Sequence, residues 1–296
     1  MTYVVRPTPV VIGGATRDML QVTIVLVGCG GTGGFVAESL CRLMVGVRRA
    51  SLFLVDPDRV EQRNVARQAF DRSDVGRFKA EVLAERLSHR FGREIGYSVL
   101  PYDQRIHAEA FGQSTRLGLV IGAVDNAGAR SAIARTLEQR TGDTRWAEGP
   151  SPILWLDSGN GRDSGQVLLG NAVTIAQLRH SFHEDTRLCT GLPAPGLQRP
   201  DLLSAPPSPA FARNPSCAQQ VEDGEQGRTI NQLMAGLVAA YVERLLDGIC
   251  CWMATYLDLT DGLLRCVPAE PRAVSACTGV PIVSLIDRRG HASVAS

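Results

Sequence analysis

The stretch that decides the fold is VGCGGTGG, residues 27–34, which closes the apolar run QVTIVLV of residues 21–27. This run is continuous and rich in β-branched residues, which is typical of a buried parallel strand. The residues after the glycines have apolar side chains at helical spacing. Gly28, Gly30 and Gly33 therefore lie between a strand and a helix, the context in which G-x-G-x-x-G predicts nucleotide binding.

Strands and helices alternate along the rest of the first half of the chain. Further strands are predicted at 51–55, 96–100, 118–124 and 153–157, and helices at 35–45, 78–91 and 127–140. This alternation predicts an α/β fold with a doubly wound, Rossmann-like, mainly parallel sheet. A turn into an extended segment at 159–170, a helix at 229–246 and a hairpin at 252–267 predict an additional C-terminal antiparallel portion.

Three changes in pattern divide the chain. Residues 1–20 are interpreted as an N-terminal extension, residues 21–268 as a single domain, and residues 269–296 as a weakly patterned tail. Residues 192–215 contain seven prolines. Such a segment is expected to form neither a helix nor a central strand, so we interpret it as a crossover or binding loop.

Composition excludes several classes of protein. The chain has 296 residues, a net charge of +1, 44% apolar and 21% charged residues. Near-neutral charge gives no indication of nucleic acid or an anionic membrane as a partner. No apolar run reaches the roughly 18 residues of a membrane span. The eight cysteines include no CxxC pair and follow no disulfide-framework spacing, so a cytoplasmic location without structural zinc is expected.

The glycine loop alone leaves the ligand open. Glycines let the backbone approach a phosphate closely, and a helix N-terminus attracts negative charge. Asp56 ends the next predicted strand, where a carboxylate can accept hydrogen bonds from ribose hydroxyls. At this point a nicotinamide-dependent oxidoreductase is an equal candidate, and a strand-turn-helix without ligand is a weaker one.

Further polar residues follow the ends of the predicted strands and separate these alternatives. They are Asp56, Asp58, Asn64, Arg67, Gln68, Lys79, Asp125, Asn126 and Arg130. A dinucleotide carries only a diphosphate and needs no such cluster, whereas a triphosphate does. Arg67 and Lys79, the only lysine in the chain, can neutralise phosphate oxygens, and Asp125 can hold Mg²⁺.

The order of these motifs resembles a known family. GxGGxG, then DxDxVxxxNxxRQ, then a lysine, then DNxxxR is similar to the signature of the ThiF family, adenylating enzymes related to the activators of ubiquitin and of sulfur-carrier proteins. Three further segments resemble the ThiF-type proteins of the PRTRC gene set, which lie beside a small ubiquitin-like protein in bacterial mobile elements. These segments are LDSGNGRDSGQVLLG at 156–170, PSC at 215–217 and INQLMA at 230–235.

The resemblance implies a fold of the ThiF/MoeB type, ATP and Mg²⁺ as ligands, a homodimer, and a role for each matching residue. Gly28, Gly30, Gly31 and Gly33 would line the ATP phosphates, Asp56 and Asp58 would bind the nucleotide, with Asp56 on the ribose, and Asn64, Arg67, Gln68 and Lys79 would contact the phosphates. Asp125 would bind Mg²⁺.

The implied reaction is adenylation of the C-terminal carboxylate of a small ubiquitin-like or sulfur-carrier protein. Thioester formation at a cysteine is a further expectation. Cys217 is the candidate, because relatives that form a covalent link place their cysteine after the crossover, and Cys189 is its main competitor. Two alternatives are a nicotinamide-dependent oxidoreductase on the same fold and a non-catalytic ThiF-like adaptor.

Overall fold

An eight-stranded sheet forms the centre of the protein. The computed structural model describes residues 2–6, 21–47, 49–111, 117–138, 149–204 and 229–287. The strands of the large sheet are β2 Gln21–Val27, β3 Arg49–Val55, β4 Gly96–Ser98, β5 Leu117–Gly122, β6 Ile153–Asn160, β7 Ser164–Gly170, β10 Trp252–Asp258 and β11 Leu263–Pro268. Their order across the sheet is β11-β10-β7-β6-β5-β2-β3-β4.

Helices cover both faces of this sheet. They are α1 Gly31–Leu43, α2 Lys79–Phe91, α3 Gln104–Phe111, α4 Ala127–Glu138, α5 Pro195–Gln198, α6 Ile230–Leu246, α7 Pro271–Thr278 and α8 Ile282–Leu285. Leu154 and Leu156 of β6 share one apolar core with α1, α2 and α6. Trp155, between them in sequence, belongs to a second core with α3 and α4. The sheet is therefore doubly wound, as predicted.

The strand order creates a crevice at the carboxyl edge of the sheet. Strands β4, β3, β2, β5 and β6 run parallel, whereas β7, β10 and β11 pair antiparallel. After β2 the chain first builds β3 and β4 on one side and then returns to place β5 on the other side. Ligands of open α/β sheets bind at such a switch point, outside the carboxyl ends of the strands.

Most predicted elements are confirmed, with shifted ends. The first helix begins at Gly31 rather than at residue 35, so Gly31, Gly33 and Gly34 lie in its first turn. The fifth strand continues to Asn160, and the predicted C-terminal hairpin is β10 and β11. Helix α3 was not predicted, because eight residues of mixed polarity carry too few helical repeats to stand out.

The proline-rich segment differs from the prediction in its first part. Residues 192–204 contain α5 and a 3₁₀ turn at Pro200–Leu203, and each begins with a proline. A proline is tolerated in the first turn of a helix, where its missing N–H would have no partner. The expectation of no helix was therefore wrong here; residues 205–215 lie outside the described residues.

A small second sheet brings distant segments together. Its order is β1 Val4–Val5, β9 Leu188–Cys189, β8 Phe182–His183 and β12 Ile286–Asp287. Next to β1, the ring of Tyr3 lies edge-on to that of Phe182 at 5.0 Å. Val274 and Leu285, from the predicted tail, are buried in the main core. The described parts of the predicted extension and tail thus pack against the domain, whose boundaries stay predictions.

Candidate functional site

The glycine loop is wedged between the carboxyl ends of β3 and β5. The N–H of Gly28 donates to the carbonyl oxygen of Val55 at 2.9 Å. Gly28 has φ +93°, and a Cβ there would lie 2.5 Å from the carbonyl oxygen of Ala123. A Cβ on Gly33 would overlap the carbonyl oxygen of Gly28. Both positions therefore require glycine for backbone reasons, and α1 is held tightly against the loop.

The N-terminus of α1 offers hydrogen-bond donors to a ligand. Gly30 precedes this helix, no side chain caps it, and its first turn has no acidic residue. The first amides of a helix have no partner within the helix and carry its positive dipole end. A Cβ on Gly30 would meet only Gln68 Nε2, at 3.8 Å. Gln68 Oε1 is buried without a hydrogen-bond partner. Open space, amide donors and an unmatched acceptor together fit a nucleotide.

Asp56 connects this loop to the loop after β3. Its Oδ2 accepts from the N–H of Cys29 at 2.6 Å, and its Oδ1 accepts from the N–H of Asp58 at 2.8 Å. Burial raises the pKa of Asp56, while the charge of Lys79 and the two amide donors oppose that rise. Each carboxylate oxygen can accept a further hydrogen bond. Asp56 is therefore fixed by backbone and still able to accept from a ribose hydroxyl.

Lys79 is the first residue of α2 and pairs with Asp58. Its Nζ lies 2.9 Å from Asp58 Oδ2, and its side chain is 10% exposed, against 67% for Asp58. Its N–H also donates to the carbonyl oxygen of Asp58 at 2.9 Å. A cation in the first turn of a helix is disfavoured by the helix dipole. Asp58 offsets this cost, and a phosphate group would do so as well.

Asn64 closes the turn that carries Arg67 and Gln68. Its Oδ1 accepts from the N–H of Glu61 at 2.8 Å, and its carbonyl oxygen accepts from the N–H groups of Arg67 and Gln68 at 3.1 and 2.8 Å. Asn64 is buried. These bonds give it a role in shaping the turn, so its direct contact with a phosphate stays a prediction.

Asp125 is exposed and lies three residues beyond the end of β5. The helix cap is its neighbour Asn126, whose Oδ1 accepts from the N–H of Ala129 at 2.8 Å. Asn126 Nδ2 donates to Asp125 Oδ1 at 3.2 Å. Asp125 therefore keeps carboxylate oxygens for a ligand.

Arg130, one turn into α4, is already paired. Its Nε lies 3.1 Å from Asp157 Oδ2, and both residues are buried. Burial raises the pKa of Asp157, and the charge of Arg130 opposes that rise. The sequence had grouped Arg130 with the polar residues at the strand ends, and the structure gives it this partner.

A metal ion would need phosphate oxygens as ligands here. Within the described ranges, no group of three or more His, Cys, Asp and Glu side chains is arranged to hold a metal. Asp125 and Asp58 are exposed carboxylates at the crevice. Mg²⁺ is commonly bound by one or two carboxylates together with substrate phosphates, so these residues suit Mg²⁺ carried by ATP.

Sequence reasoning missed one set of polar residues beside the loop. Thr32, Asn160 and Asn231 come from α1, β6 and α6 and hydrogen bond to one another. Asn231 belongs to the INQLMA segment, whose resemblance to known proteins implied no role for it. An asparagine near the start of an apolar helix was the available signal.

The cysteines divide by position and burial. Cys217 lies outside the described residues. Cys189 is fully buried, and burial raises the pKa of its thiol. Cys250 is also buried, and its pKa is raised to about 12. Because the thiolate is the nucleophile, neither buried thiol is suited to react with a protein partner.

The family assignment rests on comparison with known proteins. The ThiF family matches this chain over residues 7–258. The chain belongs to the ThiF family. The ATP-dependent ubiquitin transferase-like protein Cap2 of Escherichia coli (strain TW11681) is 41% identical over 64 residues, which is 22% of this chain and 11% of Cap2. The match thus spans about a tenth of that relative. The predicted relationship to adenylating enzymes is confirmed.

Solved structures of similar fold agree with this assignment. PaaA superposes with a TM-score of 0.54 at 18% identity, covering 86% of this chain and 75% of PaaA. E. coli MccB, solved with AMPCPP and MccA, gives 0.51 at 16% identity, covering 86% and 65%. MccB solved with ATP gives 0.50. This ThiF member therefore covers just under two thirds of MccB, and its ThiF/MoeB-type fold is confirmed.

None of the helices in the described parts of the chain combines the length and apolarity needed to cross a bilayer.

Proposed function

We propose that this protein binds Mg²⁺-ATP and adenylates the C-terminal carboxylate of a small ubiquitin-like or sulfur-carrier protein. The observation that carries the proposal is the convergence of an uncapped glycine loop, the Asp56 bridge and the Lys79–Asp58 pair at the crevice between β2 and β5. Family membership supports the adenylating chemistry. Similarity to Cap2, a ubiquitin transferase-like protein, and to MccB, solved with ATP and with AMPCPP and MccA, supports a nucleotide and a protein or peptide substrate.

The reaction asks for positioning and charge neutralisation. A carboxylate oxygen of the partner attacks the α-phosphorus of ATP, the new O–P bond forms, and the bond to the β-phosphate oxygen breaks to release pyrophosphate. No proton has to be removed, because the carboxylate is already the nucleophile. Residues therefore act by holding reactants in line and by stabilising phosphate charge.

The roles follow from where the side chains lie. The first amides of α1 would hold phosphate oxygens, Asp56 would accept from the ribose, and Lys79 with Arg67 would stabilise charge on the departing pyrophosphate. Asp125, together with Asp58, would hold Mg²⁺, which supplies further neutralisation of the phosphates. Asn64 would keep the turn before Arg67 and Gln68 in place.

A second step at Cys217 is part of the proposal. Attack of its thiolate on the acyl-adenylate would form a thioester and release AMP. Its position after the proline-rich segment and the burial of Cys189 favour this residue. A homodimer and a cytoplasmic location also remain proposals.

ATP–pyrophosphate exchange tests the adenylation step directly. The full chain is mixed with a candidate partner, a small ubiquitin-like or sulfur-carrier protein with a free C-terminal carboxylate, and with Mg²⁺ and labelled pyrophosphate. Exchange is expected with the native partner and not with a partner whose terminal carboxylate is an amide. Absence of exchange with the native partner, alongside calorimetry that shows no Mg²⁺-ATP binding, would overturn the proposal. Quenching of nicotinamide fluorescence would instead favour an oxidoreductase.

A further inference from the structure

Three side chains from distant parts of the sequence meet beside the glycine loop. Thr32 lies in the first turn of α1, Asn160 ends β6, and Asn231 is the second residue of α6. Thr32 Oγ1 lies 3.0 Å from Asn160 Oδ1 and 3.1 Å from Asn231 Oδ1, so its single hydroxyl hydrogen is shared between them. Asn160 Nδ2 donates to Asn231 Oδ1 at 3.0 Å. We call these residues the Asn231 cluster.

The cluster lies in an otherwise apolar interface. Asn231 is 2% exposed and Thr32 is 7% exposed. On the same strand face, Leu154 and Leu156 belong to the apolar core that α1 and α6 share. Ser158 lies between Leu156 and Asn160 in this alternation, and its hydroxyl is buried without a hydrogen-bond partner.

The Asn231 amide occupies the space that a side chain at position 31 would need. A Cβ on Gly31 would lie 3.0 Å from Asn231 Cγ and closer still to Nδ2. Gly31 does not have a positive φ, so the backbone alone does not demand glycine there. The need for glycine at position 31 comes from Asn231, whose side chain lies against the first turn of α1.

Buried amides are a costly way to join two helices. A buried polar group left without a partner destabilises the fold, whereas apolar residues of the same shape would pack without that penalty. A directional network, in contrast, fixes one arrangement of its members. The Asn231 cluster therefore sets the position of α1 relative to α6 and β6, at the residues whose amides face the nucleotide crevice.

We propose that Asn231 is a positioning residue of the nucleotide site. It holds Thr32 and Gly31 so that the first amides of α1 keep their direction toward the phosphates. The inference rests on the proposed function, since it assumes that the glycine loop binds ATP phosphates.

A steric exchange between positions 31 and 231 tests the proposal. Four proteins are compared with the wild type: Asn231→Ala, Gly31→Ala, the double variant, and Gln232→Ala as a control from the exposed side of the same turn. Mg²⁺-ATP affinity is measured by calorimetry, which needs no partner protein. Unfolding without ligand is measured in parallel.

Each variant has a distinct expected result. Asn231→Ala removes the acceptor of two hydrogen bonds and should weaken Mg²⁺-ATP binding about three- to tenfold, a change of the size of one net hydrogen bond. Gly31→Ala should weaken it further, and the double variant should regain part of that loss because the alanine methyl then has room. Gln232→Ala should bind like the wild type. KM for ATP should rise in Asn231→Ala while kcat for exchange changes less.

The outcomes separate this inference from the proposed function. If Asn231→Ala loses stability but binds Mg²⁺-ATP like the wild type, or if the double variant is no better than Gly31→Ala, Asn231 is only a packing residue and the inference is overturned. If the wild type binds Mg²⁺-ATP without exchanging pyrophosphate, the adenylation proposal fails while the positioning role stands. If the wild type binds no nucleotide, both fail.

Discussion

The ammonium group of Lys79 lies 2.9 Å from the carboxylate of Asp58, at the point where the loop after β3 enters α2. Lys79 is mostly buried and Asp58 mostly exposed, so the pair points from the protein toward the crevice. The same lysine also lowers the pKa that burial raises at Asp56. One cation therefore interacts with two carboxylates, and a bound triphosphate would compete with them for it.

Lys79→Ala should abolish most pyrophosphate exchange. Loss of one charge-stabilising donor costs roughly 10²–10³-fold in rate. The fold should survive because Asp58, left without its partner, is exposed to water. Arg77→Ala is the matched control, since Arg77 precedes the same helix and pairs with the exposed Glu85. If Lys79→Ala exchanges pyrophosphate at the wild-type rate, Lys79 does not contact the phosphates.

Two glycines of the loop should respond differently to alanine. Gly30→Ala adds a methyl group whose nearest neighbour is 3.8 Å away, so the unliganded protein should unfold at the wild-type temperature. The methyl group fills space assigned to a phosphate, and calorimetry should show weaker Mg²⁺-ATP binding. Gly33→Ala overlaps the carbonyl oxygen of Gly28 and should destabilise the fold itself. Undiminished ATP binding by Gly30→Ala would place the phosphates elsewhere.

Asp125→Asn should raise the Mg²⁺ concentration that exchange requires. The substitution keeps the size of the side chain and removes the charge that a hard cation prefers. Helix α4 should be unaffected, because Asn126 provides its cap. Asp261→Asn, in the turn between β10 and β11, serves as the control. Superimposable Mg²⁺ titrations of Asp125→Asn and wild type would assign Asp125 no part in metal binding.

His107 should make stability depend on pH between about 4 and 6.5. Its Nδ1 lies 2.6 Å from the hydroxyl of Tyr102, and burial lowers its pKa from 6.5 to about 4. In the unfolded chain the imidazole of His107 is protonated below pH 6.5, whereas in the folded protein it is protonated only below about pH 4. The free energy of unfolding is therefore highest above pH 6.5. It falls by about 3 kcal/mol as the pH falls from 6.5 to 4.

Denaturant unfolding across this range checks the His107 prediction. The free energy of unfolding should fall less steeply on acidification in His107→Gln than in the wild type. His89→Gln changes an exposed histidine of α2 and should follow the wild-type curve. Parallel curves for all three proteins would show that His107 does not carry the effect.

Cys217→Ala should separate the two proposed steps. Adenylation uses the crevice residues, so pyrophosphate exchange should stay near the wild-type rate. A reductant-sensitive adduct with the partner needs a thiolate and should disappear. Cys189→Ala should keep the adduct, because Cys189 is fully buried and its thiol pKa is raised. If the adduct persists in Cys217→Ala and disappears in Cys189→Ala, Cys189 is the reactive cysteine.

The sequence predicted the parts of the fold that repeat locally. Residues 21–34 carry the apolar run and the glycines in one short stretch, so the first strand, turn and helix could be read from neighbours in sequence. The candidate nucleotide residues could be named from the sequence for the same reason, because each motif follows a strand end, and their roles stay predictions. Asn231 was not predictable, since its partners Thr32 and Asn160 lie 199 and 71 residues away in sequence.

The small sheet was missed for a different reason. Strands such as β8 and β9 contain two residues each and show no period. Their existence depends on pairing with β1 and β12. Arg130 illustrates the same limit within the site. Only the fold shows that Arg130, on α4, forms an ion pair with Asp157, on β6.

The small sheet also has a consequence for the order of folding. Val4 pairs with Leu188 and Ile286 pairs with Phe182, so the first and last strands of the described chain flank one central hairpin. Contacts between residues so far apart in sequence close large loops and form slowly. During synthesis, β1 can pair with β9 only after Leu188 has been made, and β12 is the last strand of this sheet to be made. Strands β2 to β7 of the large sheet can thus assemble on the ribosome, while β10, β11 and finally β12 are added only as residues 252–287 leave the exit tunnel.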